Sequence, residues 1–172
     1  MIELKGDLFE IKCDALCITT NGFVKKNGEC AMGRGCAKQA ASLYPGLAAH
    51  LGDVVKLNGN IVWPLYQTGD KVIISFPVKP VSGIYDGNNC VRHMKKKFKI
   101  GDTIPGWAMV ASLDIIKNSA VQLVKLVDHY KWRKVLIPRP GCGAGELDWN
   151  IVKPELDKIL DNKFYSISND KK

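Results

Sequence analysis

The sequence lacks several features that would restrict its class. No stretch reaches the roughly 18 consecutive apolar residues of a membrane-spanning helix, and the start mixes acidic and basic residues, unlike a secretory signal. None of the six cysteines forms a CxxC pair, and the spacing of Cys13 and Cys17 relative to His50 or His93 is unlike that of ordinary zinc sites. We therefore expect a cytoplasmic protein with reduced cysteines and no metal, cofactor or membrane segment.

The chain has the length of one domain and is strongly basic. Its 172 residues fit the usual domain size, and 46% apolar with 24% charged residues is ordinary for a folded protein. Twenty-five Lys and Arg residues against 17 Asp and Glu residues give a net charge of +8. Such a charge attracts anions and favours nucleotides, nucleic acids or acidic surfaces as partners.

Apolar patterns predict strands that alternate with helices. The predicted strands cover residues 2–5, 15–20, 72–76, 134–138 and 164–168. Helices are predicted over residues 31–51 with a break at Pro45-Gly46, after an N-cap at Ser112, and from an N-cap at Asp148 to residue 160. The alternation indicates an α/β fold with a mixed, mostly buried sheet.

Three segments have separate predictions. Asn58-Gly59 lies between two β-rich runs and predicts a hairpin turn, because both residues tolerate positive φ. Residues 79–109 show no periodicity and predict a long irregular loop, which is uncommon unless it is functional. The polar tail, residues 169–172, is expected to be frayed.

Two glycine clusters follow predicted strands and precede predicted helices, where α/β proteins bind ligands. They are Met32-Gly33-Arg34-Gly35 and Pro140-Gly141-Cys142-Gly143-Ala144-Gly145. Glycines let backbone N–H groups approach an anion, and a helix N-terminus adds partial positive charge. Two such loops predict a diphosphate held from both sides, although each could be only a tight turn. Because neither is followed by GK[ST] or fits GxGxxG with a later acid, P-loop NTPases and ordinary dehydrogenases are excluded.

The order of several motifs resembles the macrodomain family. These motifs are Gly6-Asp7-Leu8, Thr20-Asn21, the first glycine cluster, Phe76-Pro77-Val78-Lys79, and the run PRPGCGAGELDW at 138–149. The resemblance spans most of the chain and is closer to the branch that contains the terminal ADP-ribose protein glycohydrolase and the antitoxin macrodomain of the DarTG system. It implies one macrodomain over residues 1–172, with a three-layer α/β/α sandwich around a mixed central sheet, that binds ADP-ribose or an ADP-ribosylated macromolecule.

The resemblance also implies roles for individual residues. Asp7 would accept a hydrogen bond from the adenine amino group with the Leu8 N–H beside it, Asn21 would face the distal ribose, and Thr20 would also contact ADP-ribose. From the residues alone, a solvated turn residue is the favoured interpretation of Asp7, and Asn21 could equally be a turn former. The two glycine clusters would contact the phosphates and the distal ribose through Met32, Gly33, Arg34, Gly35, Pro140, Gly141, Cys142, Gly143, Ala144 and Gly145.

Lys79 follows an apolar strand directly, so its amine should lie at the edge of the cleft. Partial desolvation lowers the pKa of an amine and makes it a nucleophile, although a lysine at a strand end can be only a solvated flank. In the glycohydrolase branch the matching lysine attacks the anomeric carbon of the distal ribose. The resemblance therefore implies an ADP-ribosyl hydrolase with Lys79 as the catalytic residue. The alternatives are a non-catalytic ADP-ribose reader or sequestering protein, and an ADP-ribose 1″-phosphate phosphatase.

Two features depart from the family pattern. Gly145 stands where the protein glycohydrolase has an aspartate, whereas the antitoxin macrodomains also have a glycine at this position. The neighbouring Glu146 is either a catalytic acid or an ordinary loop carboxylate. Residues 81–106 form a basic insertion in place of a short link. Its Lys95, Lys96 and Lys97 lie near aromatic residues and could contact the phosphates and bases of a nucleic acid; the alternative is a solvated lid.

Overall fold

The computed structural model describes residues 1–169 and is built around a six-stranded sheet. Its strands are β1 (Ile2–Lys5), β2 (Ala15–Thr20), β3 (Trp63–Thr68), β4 (Lys71–Pro77), β7 (Val135–Pro138) and β8 (Phe164–Ser168), while β5 (Ser82–Ile84) and β6 (Thr103–Pro105) pair separately. The order is β1-β8-β7-β2-β4-β3, with β3 antiparallel to β4 and the other neighbours parallel. The predicted strands and the mixed sheet are confirmed; of the tail, residues 170–172 lie outside the described residues.

In the described part of the chain, four α-helices flank the sheet. They are α1 (Gly35–Leu43), α2 (Leu47–Asn58), α3 (Leu113–Tyr130) and α4 (Trp149–Asp157). The predicted caps are confirmed: the Ser112 hydroxyl accepts a hydrogen bond from the Ile115 N–H, and the Asp148 carboxylate accepts one from the Asn150 N–H. Within residues 1–169, none of these helices combines the length and apolarity needed to cross a bilayer.

The layers follow from the alternation of side chains along the buried strands. In β2, Leu16 and Ile18 pack against α1 and α2 on one face of the sheet, whereas Ala15 and Cys17 pack against α3 and α4 on the other. All four side chains are fully buried, and burial of each large aliphatic side chain contributes about 2 kcal/mol. The three-layer α/β/α sandwich is therefore confirmed.

The bounds of the first two helices correct the prediction at residues 31–51. The predicted break at Pro45-Gly46 is confirmed, but the first helix begins at Gly35 rather than at residue 31, because Arg34 has an extended backbone. The hairpin predicted at Asn58-Gly59 is wrong. Asn58 ends α2, and Gly59, with φ +85°, donates its N–H to the Val55 carbonyl as a helix C-cap.

Asn-Gly misleads here because a helix C-terminus and a hairpin turn both need positive φ. The hairpin lies between β3 and β4 instead, where Thr68 pairs with Lys71 across Gly69-Asp70. Gly69 has φ +56°, which a glycine adopts without strain.

The prediction of a long irregular loop over residues 79–109 is wrong. β5 pairs with β6, and two short 3-10 helices, Arg92–Lys97 and Gly106–Ala108, follow the two strands. These elements enclose a small apolar core of Tyr85, Cys90, Val91, Met94, Ile104, Ala108 and Met109. Strands of three residues are too short to show periodicity, which is why the sequence conceals them. The basic insertion (residues 81–106) is therefore a folded unit.

Candidate ligand-binding and active site

A large cavity lies at the carboxyl ends of β7, β2 and β4, which are neighbours in the sheet. Its volume is about 970 Å³, the size of a pocket for a nucleotide-sized ligand. Residues of both glycine clusters and Lys79 line this cavity, so the structure brings the two loops together at one cleft. Predicted site residues in its wall are Thr20, Asn21, Met32, Gly33, Arg34, Gly35, Lys79, Gly141, Gly143, Ala144 and Gly145.

The charge of the cavity wall is mainly positive. The acidic and basic side chains that line it, cysteine thiols aside, are Lys25, Glu29, Arg34, Lys79, His93, Lys97 and Arg139. The Glu29 carboxylate is paired with Lys25, whose Nζ lies 2.9 Å away. The other basic groups leave an electropositive surface that suits an anionic ligand.

The first glycine loop leads into the N-terminus of α1. Gly35, with φ +57°, opens the helix, and among the described residues no side chain caps this end. Gly35, Cys36 and Ala37 all line the cavity. The N–H groups of the first turn are therefore available to an anion, and the helix dipole adds to the attraction.

The second glycine loop follows β7 and is tightly packed. Gly141 has φ +76°, and its carbonyl accepts a hydrogen bond from the Leu147 N–H. The Gly145 carbonyl accepts one from the Ala111 N–H, which joins the loop to the start of α3. These bonds fix the loop, so the exposed Gly143 and Ala144 present a rigid backbone to the cavity.

Lys79 is buried between the second glycine loop and the 3-10 helix Gly106–Ala108. Only 6% of the residue is exposed. Its Nζ donates to the Ala144 carbonyl at 3.0 Å and to the Trp107 carbonyl at 3.3 Å. Burial lowers the pKa of this amine to about 8; the Glu146 carboxylate opposes that shift and the Arg34 guanidinium adds to it. The predicted desolvated amine is therefore present at the cavity.

Thr20 and Asn21 differ in how their polar groups are used. The Thr20 hydroxyl is buried and has no hydrogen-bond partner among the described residues. The Asn21 amide donates to the Ala31 carbonyl at 2.8 Å, and its oxygen accepts from the Phe23 N–H at 2.9 Å. Asn21 therefore shapes the loop it begins, the turn-forming role that the sequence left open, while it also lines the cavity.

Four predicted residues lie outside the cavity wall. The Asp7 carboxylate accepts a hydrogen bond from the Phe9 N–H in a turn after β1, and Leu8 is buried in the core beneath α1 and α2. Pro140 is buried, and Cys142 packs against the core beside α3 and α4, where burial raises the pKa of its thiol to about 11. Asp7 nonetheless lies at the same edge of the sheet as the cavity, because β1, β8 and β7 are parallel.

The sequence analysis did not place the insertion, or the 3-10 helix Gly106–Ala108 after it, at the ADP-ribose site. His93, Met94 and Lys97 of the insertion and Trp107 of that helix all line the cavity, whereas the sequence analysis names Lys97 only as a nucleic-acid contact. No pattern could have shown this, because it depends on how the insertion folds back over the strand ends. Arg139 was also missed, although its position directly after β7 and before the second glycine cluster was a usable signal.

Glu146, directly after the second glycine loop, joins this loop to the insertion. Its carboxylate accepts a hydrogen bond from the Arg92 N–H at 3.0 Å, and its φ of +62° is unusual for a residue with a side chain. Across residues 1–169, His, Cys, Asp and Glu form no group of three or more that could hold a metal ion.

Comparison with solved structures identifies the fold as that of a macrodomain. The macrodomain of Mycobacterium tuberculosis DarG is 20% identical with a TM-score of 0.68, over 96% of this chain and 95% of that one. The macrodomain of Thermus aquaticus DarG is 18% identical with the same TM-score and coverage. Thermosipho africanus DarTG in complex with ADP-ribose is 16% identical with a TM-score of 0.70, over 99% of this chain and 42% of that one. No family model and no curated protein sequence matches the chain.

Proposed function

We propose that this protein binds ADP-ribose and acts as an ADP-ribosyl hydrolase on a modified macromolecule. The observation that carries the proposal is the presence of two glycine loops and a buried amine around one electropositive cavity. A solved neighbour, Thermosipho africanus DarTG, is in complex with ADP-ribose, which supports the same ligand here. The proposal includes a cytoplasmic location, whose reducing chemistry would preserve six free thiols.

The proposed ligand would extend along the carboxyl edge of the sheet. Its diphosphate would lie between the N-terminus of α1 and the second glycine loop, where backbone N–H groups are available. From Lys79 after β4 to Asp7 after β1 is four strand spacings, about 19 Å at about 4.8 Å each. An extended molecule with a ribose at one end and a base at the other matches this separation, so the predicted adenine contact at Asp7 remains part of the proposal.

The proposed reaction uses the neutral amine of Lys79. A neutral amine has two N–H donors and one lone pair, and the carbonyls of Ala144 and Trp107 would accept the two donors. The lone pair would attack the anomeric carbon, and the bond to the acceptor would break with its electron pair leaving on the acceptor, which takes the proton that the newly bonded nitrogen loses. Water would then release ADP-ribose and restore the amine.

Replacement of Lys79 tests the catalytic role. Lys79→Met keeps most of the side-chain volume and should abolish release of ADP-ribose from a modified oligonucleotide or protein. Its affinity for ADP-ribose, measured by isothermal titration beside ADP and nicotinamide dinucleotide, should stay within several-fold of the wild type. Lys125→Met, on the exposed side of α3, is the matched control. Unchanged turnover in Lys79→Met would remove Lys79 from the mechanism.

A non-catalytic reader is the second candidate, and one observation favours it. Gly145 provides no acid beside Lys79, and the neighbouring Glu146 carboxylate is engaged with the Arg92 N–H instead. A reader would bind ADP-ribose tightly and release none from any linkage. Tight binding without turnover by the intact protein would therefore favour this function.

The proposal includes a nucleic acid as the carrier of the modification, contacted through Lys95, Lys96 and Lys97. Lys96 and Lys97 are exposed, Lys95 is half-buried, and Lys97 lines the cavity. Binding to an oligonucleotide should weaken steeply with salt, and the triple Lys→Gln variant should reduce the slope of log affinity against log salt by about 2 to 3. A salt-independent interaction would leave the segment as a lid and favour a protein carrier.

A further inference from the structure

Arg139 is held by two side chains in the wall of the cavity. It is the first residue after β7 and lines the cavity wall. Its Cζ lies over the indole ring of Trp149, 5.2 Å from the centroid, and one terminal nitrogen donates to the Glu3 carboxylate at 3.3 Å. The same carboxylate oxygen accepts a hydrogen bond from the Trp149 Nε1 at 2.9 Å. Three side chains from three separate elements therefore form one unit.

The contacts of Arg139 favour stacking of a planar group on its guanidinium over binding of a phosphate. A guanidinium that binds phosphate presents its N–H edge and an uncompensated charge. Here Glu3 engages part of that edge, although its other carboxylate oxygen also lies 4.0 Å from the Lys153 Nζ, and Trp149 covers one side of the group. The side chain is nevertheless 40% exposed. What Arg139 offers the cavity is therefore mainly the open face of a planar cation, which suits the face of an aromatic ring.

The location of Arg139 indicates which part of a ligand it would contact. In the strand order β1-β8-β7-β2-β4, Arg139 after β7 lies between Lys79 after β4 and Asp7 after β1. An extended ligand whose reactive sugar is at Lys79 would pass the second glycine loop and reach Arg139 on its way to Asp7. The group at that end of ADP-ribose is the adenine base.

We propose that Arg139, backed by Trp149 and Glu3, is the platform on which the purine base of the ligand stacks. This inference rests on the proposed function, because it takes ADP-ribose as the ligand. Arginine side chains stack on nucleic acid bases in the same way that aromatic rings do. Arg139 is then a binding residue that discriminates ADP-ribose from fragments without a base.

The test compares two ligands on charge-conserving and charge-removing variants. Arg139→Lys keeps the charge but loses the plane, and Arg139→Met loses both. Each should weaken binding of ADP-ribose about tenfold, while binding of ribose 5-diphosphate, which has the distal ribose and diphosphate without adenosine, should change less than twofold. Arg133→Lys, an exposed arginine outside the cavity wall, is the matched control and should change neither affinity.

These outcomes distinguish failure of the Arg139 platform from failure of the proposed function on which it rests. Equal losses for both ligands would show that Arg139 binds the phosphates, and no loss for either would show that it binds nothing; each result overturns the platform alone. Full affinity in Arg139→Lys with a loss in Arg139→Met would show a role for charge and also overturn it. Failure of the intact protein to bind ADP-ribose would overturn the proposed function, and the platform with it.

Discussion

The two glycine loops beside the cavity differ in how tightly they are packed. In the first loop, a Cβ atom added at Gly33 or Gly35 would meet nothing within 4 Å. In the second loop, a Cβ atom at Gly145 would lie 2.5 Å from the carbonyl oxygen of Gly141 and 2.6 Å from the Cβ of Ala111. A Cβ atom at the exposed Gly143, by contrast, would meet nothing within 4 Å. Glycine therefore leaves open space in the first loop and at Gly143, and it allows close packing of the chain at Gly145.

The packing of the second loop has a direct effect on the candidate catalytic amine. The Ala144 carbonyl, which accepts from the Lys79 Nζ, lies between Gly143 and Gly145. Gly145 is in turn bonded to Ala111 at the start of α3. A rigid loop can hold the amine in one orientation, whereas the open first loop needs only to expose N–H groups. The predictions below address this difference in order of decreasing effect.

The largest effect is expected from Gly145→Ala. The added Cβ would meet the Gly141 carbonyl, which is backbone and cannot move aside cheaply, so the free energy of unfolding should fall by about 3 kcal/mol. Urea denaturation measures this loss. Gly145→Asp, which introduces the residue of the protein glycohydrolase, should be destabilised at least as much and should gain no activity. A stable Gly145→Asp variant with faster turnover would show that the loop accepts an acid.

The dependence of turnover on pH should show the state of the amine that the second loop holds. Since the pKa of Lys79 is about 8, the rate of ADP-ribose release in a single turnover should rise about tenfold per pH unit below 8 and level off above it. A rate that falls above pH 8 would show instead that the ammonium polarises the anomeric centre.

The free energy of unfolding should also depend on pH through the ionisation of Lys79. Between pH 8 and the ordinary lysine pKa of 10.5, the unfolded chain binds a proton at residue 79 that the folded protein does not bind. Stability contributed by this group therefore rises with pH across that window. The component should be missing from Lys79→Met when both proteins are denatured at several pH values.

A smaller and purely functional effect is expected from Gly33→Ala. Because the added Cβ meets open space in the first loop, the free energy of unfolding should stay within about 0.5 kcal/mol of the wild type. Affinity for ADP-ribose should fall about tenfold, because the methyl group would keep the diphosphate away from the backbone N–H groups. Unchanged affinity would show that the ligand does not approach this loop.

Sequence reasoning succeeded where one local cause dominates. The residues of β2 favour strands and those of β4 are largely apolar, and Ser112 and Asp148 are caps with strong intrinsic preferences, so these elements could be predicted. Asn58-Gly59 failed because two kinds of structure need the same backbone conformation there. The choice between them depends on the packing of α2 against the sheet, which no local pattern contains.

For the site, the predictable part was the set of loops at strand ends. Parallel strands bring their carboxyl ends to one edge, so both glycine clusters and Lys79 could be expected to meet. The contribution of Trp107 could not be foreseen, because it depends on the core of the insertion around Ile104 and Met94. The use of the Asn21 amide within its own loop was likewise open until its two partners were known.

The smallest effect is expected from Glu146→Gln, which concerns the contact between the second loop and the insertion. Glutamine retains an oxygen that can accept from the Arg92 N–H, so the loss in stability should be about 1 kcal/mol or less. Loss of the negative charge, however, removes a group that raises the pKa of Lys79. The midpoint of the pH–rate profile should therefore move to lower pH in this variant.

Glu155→Gln provides the matched control, since its carboxylate pairs with Lys117 and Lys158 away from the cavity. It should leave the midpoint of the pH–rate profile unchanged. A midpoint that stays the same in Glu146→Gln as well would mean that the carboxylate does not act on the amine electrostatically. In that case Glu146 would only fasten the insertion, and faster hydrogen exchange of residues 92–97 would be its sole consequence.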